Sequence, residues 1–530
     1  MKIENVSSQV SVSDQLTVDD LQELADAGIH IIVCNRPDKE DKNQTPFYLI
    51  AEKAESLGME AHHIPFASRN VSLLDRDRFC KHLKTDKRLH AYCRTGNRSK
   101  TIWLAATEVN KASQTTRCNK HVDNGSTFDV VIIGAGSAGI ATASSLYKRN
   151  SSLRIALIDP SCEHYYQPGW TLVGGGVFKA EDTCRKMLTV IPDHCEWIQQ
   201  SVTHIDGNQN KVVLENNTSV HYGHLVVCPG LVLNWSAIEG LEETLGKNGV
   251  TSNYRYDLAP YTWELISKLE KGKAIFTQPP MPIKCAGAPQ KAMYLAASEW
   301  FRKGKLKDIT VQFYNAGGVL FGIEAYVPAL MAYVKKYDAE LCFKQTLIKI
   351  DGPSQKAWFQ DSEGHITESS FDLIHVCPPQ VAPACIKDSG LADTAGWLDV
   401  DSGTLQSKKY TNIWGVGDVL NTTNAKTMAA ARKQAPVVAQ NIVHSIANKT
   451  NQVHYDGYGS CPLMVEHGKV VLAEFTYGGK LSPSFPAWLN KGTKATSFGW
   501  FLKERMLPFI YWHGMLKGKE WLAKPHNLKN

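Results

Sequence analysis

The stretch FDVVIIGAGSAG, residues 128–139, decides the fold of most of this chain. Its apolar, β-branched first half predicts a buried strand. The glycines Gly134, Gly136 and Gly139 follow at GxGxxG spacing, where a helix should begin. In such a turn the first glycine allows the tight bend, the second lets the backbone approach a pyrophosphate, and the third lets helix and strand pack closely. The stretch therefore predicts an α/β domain of Rossmann type that binds a dinucleotide.

An acidic residue stands where such a domain needs one. The next predicted strand, residues 153–158, is followed by Asp159, twenty residues beyond Gly139. At the end of that strand a carboxylate is placed to accept hydrogen bonds from ribose hydroxyls.

A second cofactor motif, YTNIWGVGD at residues 410–418, lies about 280 residues further along. A strand ending in GxGD lets the backbone approach a ribitol chain, and the Asp418 carboxylate can accept from a ribitol hydroxyl. Lys426 and Thr427 then open a predicted helix whose N-terminus would stabilise negative charge on a reduced flavin. The two motifs predict FAD in a two-dinucleotide-domain flavoprotein over residues 128–490, with a second Rossmann-like insert at about 250–375.

The second insert lacks the glycine turn that a nicotinamide nucleotide would need. A predicted strand at residues 274–276 leads into TQPPMPIKCAGAPQ, which carries Cys285, and a helix is predicted from residue 292. Another predicted strand, residues 310–314, leads into NAGGVLFG. Neither loop reproduces a helix-borne pyrophosphate site, so NAD(P)H is disfavoured as electron donor. A substrate that reacts with thiols fits the loop at Cys285 better.

The first 110 residues alternate short strands and helices, which predicts a separate parallel-sheet domain. Strands are expected at residues 29–34, 60–65 and 88–92, and helices at 16–27, 46–58 and 74–83. The last strand runs into CRTGNRS, in which Cys93 and Arg98 enclose four residues. A cysteine in such a loop, before a helix N-terminus and beside arginines, is expected to be a nucleophilic thiolate.

Composition limits the other possibilities. A net charge of +6 without a long basic run gives no indication of nucleic-acid binding. The polar N-terminus predicts neither a signal peptide nor a transit peptide, and no stretch approaches the length of a membrane span. Thirteen scattered cysteines without a CxxC pair indicate a reducing compartment and no structural zinc site. The polar stretch at residues 111–127 is the predicted linker between the two domains.

The N-terminal domain resembles the phosphatase-like domain that is fused to β-lactamase-hydrolase-like persulfide dioxygenases. The resemblance is carried by CNRPD at residues 34–38 and AYCRTGNRS at residues 91–99. Phosphotyrosine phosphatases have five residues in this loop and rhodaneses have four. The resemblance therefore implies sulfur transfer at Cys93, assisted by Arg98, more than phosphate ester hydrolysis.

The flavoprotein part, from about residue 127 to 523, resembles the sulfide:quinone oxidoreductase family, particularly its mitochondrial type. The matching motifs are EHYYQPGWTLVGGG (163–176), PIKCAGAPQK (282–291), AGWLDVD (395–401), YDGYGSCPLM (455–464) and LPFIYW (507–512). The resemblance implies a redox pair of Cys285 and Cys461. Hydrosulfide would attack Cys461, two electrons would pass to FAD and on to a ubiquinone-type quinone, and sulfane sulfur would go to sulfite, glutathione or cyanide. It also places Phe475 beside the quinone ring.

The aromatic, basic tail at residues 491–530 predicts two short amphipathic helices, broken by Pro508, that lie on a membrane surface. The alternative is a helix packed on the body of the protein. We expect a peripheral enzyme on the cytoplasmic side of a bacterial inner membrane. Two further alternatives stay open: a NADH:quinone oxidoreductase, and an N-terminal domain that senses phosphate or binds a partner without turnover. Cys228 is interpreted as a packing residue beside FAD.

Overall fold

The computed structural model describes residues 1–66, 71, 73–83, 85, 87–112 and 123–525. The chain forms two compact units, residues 1–119 and 120–530. Ten residues of the predicted linker, 113–122, lie outside the described residues.

The first unit contains a five-stranded sheet. Its strands run in the spatial order Ile3–Asn5, Val10–Ser13, Leu89–Tyr92, Ile31–Cys34 and Glu60–His63. Only the first pair is antiparallel. The helices are Asp20–Asp26, Phe47–Ser56, Leu73–Leu83 and Asn97–Ala112. The predicted parallel sheet is confirmed. The two N-terminal strands were not predicted, because polar residues interrupt their short apolar runs.

The second unit contains a seven-stranded sheet. The strands are Cys195–Ile198, Ile155–Ile158, Ser126–Ile133, Ser219–Val227, Lys211–Leu214 and Val202–Asp206 in spatial order, and Ile413–Gly415 pairs with Ser219–Val227. Four of them, which begin at residues 126, 155, 219 and 413, are joined in parallel. Their carboxyl ends therefore meet at one edge, where Rossmann-type sheets bind their ligands.

A second, all-parallel sheet forms the predicted insert. Its strands are Val250–Thr251, Leu373–His375, Gly272–Gln278, Ile309–Asn315 and Glu340–Phe343 in spatial order. The helix that follows Gly272–Gln278 is Ala288–Arg302. It starts four residues before the predicted start at 292, because Pro289 occupies its first turn, where a missing N–H costs nothing.

The remaining strands are short and antiparallel. They are Thr346–Asp351, Lys356–Gln360 and Ile366–Ser370; Gly459–Glu466, Lys469–Phe475 and Ala495–Thr496; Glu163–Tyr165 with Cys184–Lys186; and Val232–Leu233 with Gln380–Val381. The other α-helices of the unit are Ser137–Arg149, Trp170–Gly174, Leu241–Thr244, Ala259–Lys268, Val327–Lys336, Ala384–Lys387 and Met428–Ile446.

The C-terminal segment differs from the expected pair of separate helices. Ser497–Phe501, a π-helical turn Leu502–Met506, and Leu507–His513 follow one another without a break. Pro508 does not break the run, because it lies in the first turn of the last helix and the wider π turn precedes it. Within the described ranges no helix has the length and apolar character needed to cross a membrane.

Candidate active site

One cavity of about 450 Å³ lies at the carboxyl edge of the seven-stranded sheet. Gly134, Asp159, Cys228 and Val416, which directly follow the four parallel strands, line its wall. The topology thus brings the two predicted cofactor motifs together, although about 280 residues separate them in the chain.

The three predicted glycines fit the roles that a dinucleotide cradle requires. Gly134 has a φ of +97°, and a Cβ atom there would lie 2.5 Å from the Cys228 carbonyl oxygen. At Gly139 a Cβ atom would lie 1.8 Å from the Gly134 carbonyl oxygen. A Cβ atom at Gly136 would meet nothing within 4 Å, although Gly136 lines the cavity. Two glycines therefore allow close backbone packing, and the third leaves room for a ligand.

Asp159 is held rigidly at the cavity wall. Its Oδ2 accepts from the Ala135 amide at 2.7 Å, and its Oδ1 accepts from the Ser161 amide at 2.9 Å. Burial raises the pKa of Asp159, whereas the two amide hydrogen bonds oppose that rise. Each carboxylate oxygen can accept a second hydrogen bond, so the side chain remains able to accept from a ribose hydroxyl.

Asp418, Lys426 and Thr427 all line the cavity, but each has a protein partner or a charged neighbour. Burial raises the pKa of Asp418, and the nearby Lys284 and Lys426 counteract this effect. The Lys426 ammonium donates to the Asp418 carbonyl at 2.8 Å, and burial lowers its pKa to about 8. The Thr427 hydroxyl accepts from the Ala430 amide and so caps the helix Met428–Ile446. The positive end of this helix therefore faces the cavity.

The two predicted redox cysteines meet. The Sγ atoms of Cys285 and Cys461 are 3.8 Å apart, although 176 positions separate the residues. Cys461 lies on the strand Gly459–Glu466 and is buried, and Cys285 lines the cavity with a φ of +51°. A Cβ atom at Gly287 would lie 2.5 Å from the Cys461 sulfur. Gly287, which the sequence did not single out, is thus required for this close approach.

A buried lysine makes the two thiols unequal. Lys291 Nζ lies 3.0 Å from Cys285 Sγ, and the side chain is only 4% exposed. The S–H group of Cys461 and the Lys291 ammonium hold the pKa of Cys285 well below its usual range, against the effect of burial. The neighbouring Cys285 thiolate and burial raise the pKa of Cys461. The pair is therefore a thiolate at Cys285 and a thiol at Cys461.

A second buried lysine, Lys503, enters the cavity from the C-terminal segment. It is 2% exposed, and its ammonium donates to the Pro168 carbonyl at 2.6 Å. Burial, followed by repulsion from Lys291, lowers its pKa to about 7. From the sequence alone, Lys291 could either tune the charge of the flavin or be solvated, and Lys503 was not singled out. Spacing along one helix could have suggested Lys291, whereas nothing local indicates that Lys503 reaches Cys285.

The C-terminal segment is hydrogen-bonded to the glycine turn at residues 134–139, directly and through His164. Tyr511 is fully buried, and its hydroxyl donates to His164 Nε2 at 2.5 Å and accepts from the Ser137 hydroxyl at 2.8 Å. Burial lowers the pKa of His164 to about 4, so its ring is neutral, and its Nδ1–H donates to the Ala135 carbonyl. Tyr511 and Trp512 are thus packed on the body. For these two residues the prediction of a membrane-facing position is wrong.

Cys228 and Phe475 lie close to the cavity in different ways. Cys228 is buried, its Sγ is 3.5 Å from the Gly134 carbonyl oxygen, and burial raises its pKa. The Phe475 ring is not part of the described cavity wall, because it packs edge-on against Phe321 in the core. Phe485 is an aromatic side chain that does line the cavity.

In the first unit, Cys93 is buried at the end of the strand Leu89–Tyr92, and its loop opens the helix Asn97–Ala112. The Arg98 guanidinium interacts with the Cys93 side chain, but it is shared with a carboxylate. It donates to both Glu40 oxygens, at 2.8 and 2.7 Å, and this pairing raises the pKa of Arg98. Glu40, a residue that the sequence did not single out, therefore partly neutralises the predicted anion site.

Each of the two units matches a known protein family. Residues 2–109 match the family model "Beta-lactamase hydrolase-like protein, phosphatase-like domain", and residues 128–262 match "Pyridine nucleotide-disulphide oxidoreductase". The fold, the glycine cradle and the paired thiols define the second unit as a flavoprotein oxidoreductase of the pyridine nucleotide-disulphide type.

Three relatives are named as mitochondrial sulfide:quinone oxidoreductases. The chain is 40% identical to the protein from Dictyostelium discoideum over 74% of its own length and 87% of the relative's. It is 35% identical to the protein from Mus musculus over 74% of its own length and 87% of the relative's. It is 33% identical to the protein from Schizosaccharomyces pombe over 75% of its own length and 93% of the relative's. The chain belongs to the sulfide:quinone oxidoreductase family.

Solved structures share the fold at lower identity. The sulfide:quinone oxidoreductase of Aquifex aeolicus gives a TM-score of 0.62 at 21% identity, covering 74% of this chain and 92% of that one. A chain in the Tetrahymena thermophila mitochondrial ATP synthase assembly gives a TM-score of 0.67 at 20% identity, covering 76% of this chain and 99% of that one.

The predicted location at a bacterial inner membrane is wrong. The three relatives identified above are mitochondrial proteins of eukaryotes, and they contradict it.

Replacing Lys291 by Met should move the ionisation of Cys285 to higher pH. In the reduced wild-type protein Cys285 should be alkylated by iodoacetamide at pH values below the usual range of a thiol, because the thiolate persists there. Without the ammonium at 3.0 Å, alkylation should need a more alkaline solution. The pH profile is measured by mass spectrometry of the Cys285 peptide, with Lys307→Met as the control. Identical profiles for wild type and Lys291→Met would contradict the assignment.

Replacing Gly136 by Val should weaken flavin binding without unfolding the protein. The added side chain enters open space at a φ of −73°, which any residue tolerates, but it fills the cradle. Overpacking of about 1–3 kcal/mol corresponds to roughly 5- to 150-fold weaker binding. The flavin-to-protein ratio and the melting curve are measured. Gly322→Val is the matched control, because a Cβ atom at Gly322 also meets open space and Gly322 lies outside the cavity wall. Full flavin content in Gly136→Val would contradict the cradle.

Proposed function

We propose that the second unit oxidises hydrogen sulfide at Cys461 and Cys285 and passes the electrons through FAD to a ubiquinone-type quinone. The observation that carries this proposal is the sulfur pair itself. The two cysteines lie 3.8 Å apart: Cys285 lines the cavity with Lys291 beside it, and Cys461 lies between Ser460 and Pro462, which also line it. The three relatives of the same family, named for sulfide and quinone, support the proposal.

The unequal thiols give the reaction its direction. When Cys285 and Cys461 are bridged, hydrosulfide attacks the Cys461 sulfur, so one S–S bond forms as the other breaks. The electron pair of the broken bond goes to Cys285, the better leaving group, because Lys291 stabilises its thiolate. The product is a persulfide on Cys461 and a thiolate on Cys285. A small acceptor such as sulfite, glutathione or cyanide then removes the sulfane sulfur.

FAD fits the cavity residues. Gly134, Gly136 and Gly139 would cradle its pyrophosphate, and Asp159 would accept from its ribose. Asp418 and the capped helix that begins after Thr427 would hold the ribitol and flavin end, with Lys426 adding positive charge behind it. Removal of the sulfane sulfur leaves Cys285 and Cys461 reduced, and FAD, when bound, would accept the two electrons that are released as the bridge between them re-forms.

The quinone would enter from the membrane side. The cavity wall extends to Leu507, Ile510 and Leu522 of the C-terminal region, and to Phe485. Phe501, Phe509 and Leu522 are 50%, 52% and 69% exposed and would insert into the lipid surface. Phe475, which packs behind the cavity wall, would act on the quinone site only through its neighbours. Because the relatives are mitochondrial, we infer a peripheral position on a mitochondrial membrane.

The first unit would relay sulfur. The position of Cys93 at a strand end, before a helix N-terminus, supports persulfide formation there. Arg98 would orient the loop through its ion pair with Glu40, and release of that pair would free it to bind an anion.

Replacing Cys461 by Ser should abolish the reaction with sulfide. In the wild type, sulfide added without oxygen should bleach the flavin absorbance, and quinone should restore it. Without the Cys461 sulfur, which hydrosulfide attacks, bleaching should be slower by roughly 10³-fold or more. Cys342→Ser, on a strand outside the cavity wall, is the control and should behave as wild type. Bleaching of the wild type by NADH but not by sulfide would instead support a NADH:quinone oxidoreductase.

Replacing Cys93 by Ser should remove sulfurtransferase activity and leave flavin bleaching by sulfide unchanged. Transfer from thiosulfate to cyanide is measured, and Cys80→Ser, in the helix Leu73–Leu83, is the matched cysteine control. Unchanged transfer in Cys93→Ser would contradict the relay. Tight phosphate binding without a persulfide on Cys93 would favour a sensing or partner-binding module.

A further inference from the structure

A second pocket, of about 660 Å³, lies next to the active-site cavity. Four lysines from three parts of the second unit line it. Lys148 ends the helix Ser137–Arg149, Lys433 belongs to the helix Met428–Ile446, and Lys519 and Lys524 belong to the C-terminal region. The fold therefore gathers positive charge at one place although the sequence contains no basic run there.

The described residues balance these charges only in part. None of the four lysines forms an ion pair with a carboxylate among the residues that the structure describes. The one acid of the pocket wall, Glu520, is already bound by Arg149 and accepts from the Ser145 hydroxyl at 2.6 Å. Lys433 senses the charges of Asp456 and Glu474 without forming an ion pair with either, and Glu474 accepts from the Tyr458 and Ser484 hydroxyls. Among the described residues, four lysines and one carboxylate that Arg149 already binds line the pocket, so its wall is positive on balance.

Exposed apolar side chains adjoin the lysines. Trp521 is 44% and Leu522 is 69% exposed, and both line the pocket. The Lys519 ammonium lies 5.4 Å from the centre of the Trp521 ring. Cations beside an exposed indole and an exposed leucine match the boundary of a bilayer, where phosphates lie above the acyl chains. A binding site for a free anion would not need the exposed apolar residues.

We propose that this pocket binds the phosphate headgroup of an anionic phospholipid. The inference rests on the proposed membrane contact of the C-terminal region and adds to it a defined site. Tyr458, Ser484 and Leu522 line both this pocket and the active-site cavity. A headgroup held by the lysines therefore fixes the cavity mouth against the lipid surface from which the quinone comes.

The test compares the binding of the full-length, flavin-loaded protein to two kinds of vesicle. One kind contains phosphatidylcholine only, and the other also contains phosphatidylglycerol. Wild type should prefer the anionic vesicles. Lys148→Gln combined with Lys519→Gln should bind them about 30-fold more weakly, since each neutralised lysine costs about fivefold at an anionic surface. Binding to neutral vesicles should stay unchanged. The pair Lys307→Gln and Lys335→Gln, exposed lysines outside both pocket walls, should match wild type.

The outcomes separate the two proposals. Equal binding of wild type and Lys148→Gln/Lys519→Gln to anionic vesicles would overturn the headgroup site and leave the membrane contact standing. No binding to either vesicle would overturn both. If Lys307→Gln/Lys335→Gln weakened binding to anionic vesicles as much as Lys148→Gln/Lys519→Gln does, the effect would be one of general charge, and this would also overturn the site. Tight binding of glycerol phosphate in solution, without a preference for anionic vesicles, would assign the pocket to a soluble phosphate instead.

Discussion

The contact between Lys291 and the Cys285 sulfur is the interaction on which the active site depends. A charge buried away from water is costly unless an opposite charge lies within contact distance. Here a thiolate and an ammonium 3.0 Å apart satisfy each other in a site where both side chains are shielded. The S–H group of Cys461 stabilises the thiolate further. The same pair makes Cys285 the better leaving group, so one contact accounts both for the stability of the charges and for the direction of sulfur transfer.

The contact exists because the second sheet ends in a thiol loop instead of a glycine cradle. The strand Gly272–Gln278 delivers Cys285, and the helix Ala288–Arg302 delivers Lys291 within its second turn. Gly287 has no side chain, and this lets the strand that carries Cys461 approach closely. In flavoproteins that use NAD(P)H, a glycine turn at this place in the fold binds the nucleotide through backbone groups. Here the same place is occupied by two sulfur atoms and the Lys291 amine.

The sequence predicted the parts of the fold that short-range patterns determine. The strand before Gly134, the helix after it and the thiol loop at Cys285 all follow from periodicity and spacing, and the structure confirms them. Long-range features could not be predicted in this way. The approach of Cys461 to Cys285 entered only through a family resemblance, because local spacing contains no information about residues 176 positions apart. The ion pair of Arg98 with Glu40 was missed for the same reason.

The C-terminal segment joins the active site to the protein surface. One helical run presents Phe501 and Phe509 to the outside and sends Lys503 inward to the cavity wall beside Cys285. Burying an amine is unfavourable, and the thiolate of Cys285 and the Pro168 carbonyl offset that cost. The free energy of packing this segment against the body therefore depends on the charge of Cys285. The side chains proposed to contact lipid and a lysine of the thiol site therefore belong to one structural element.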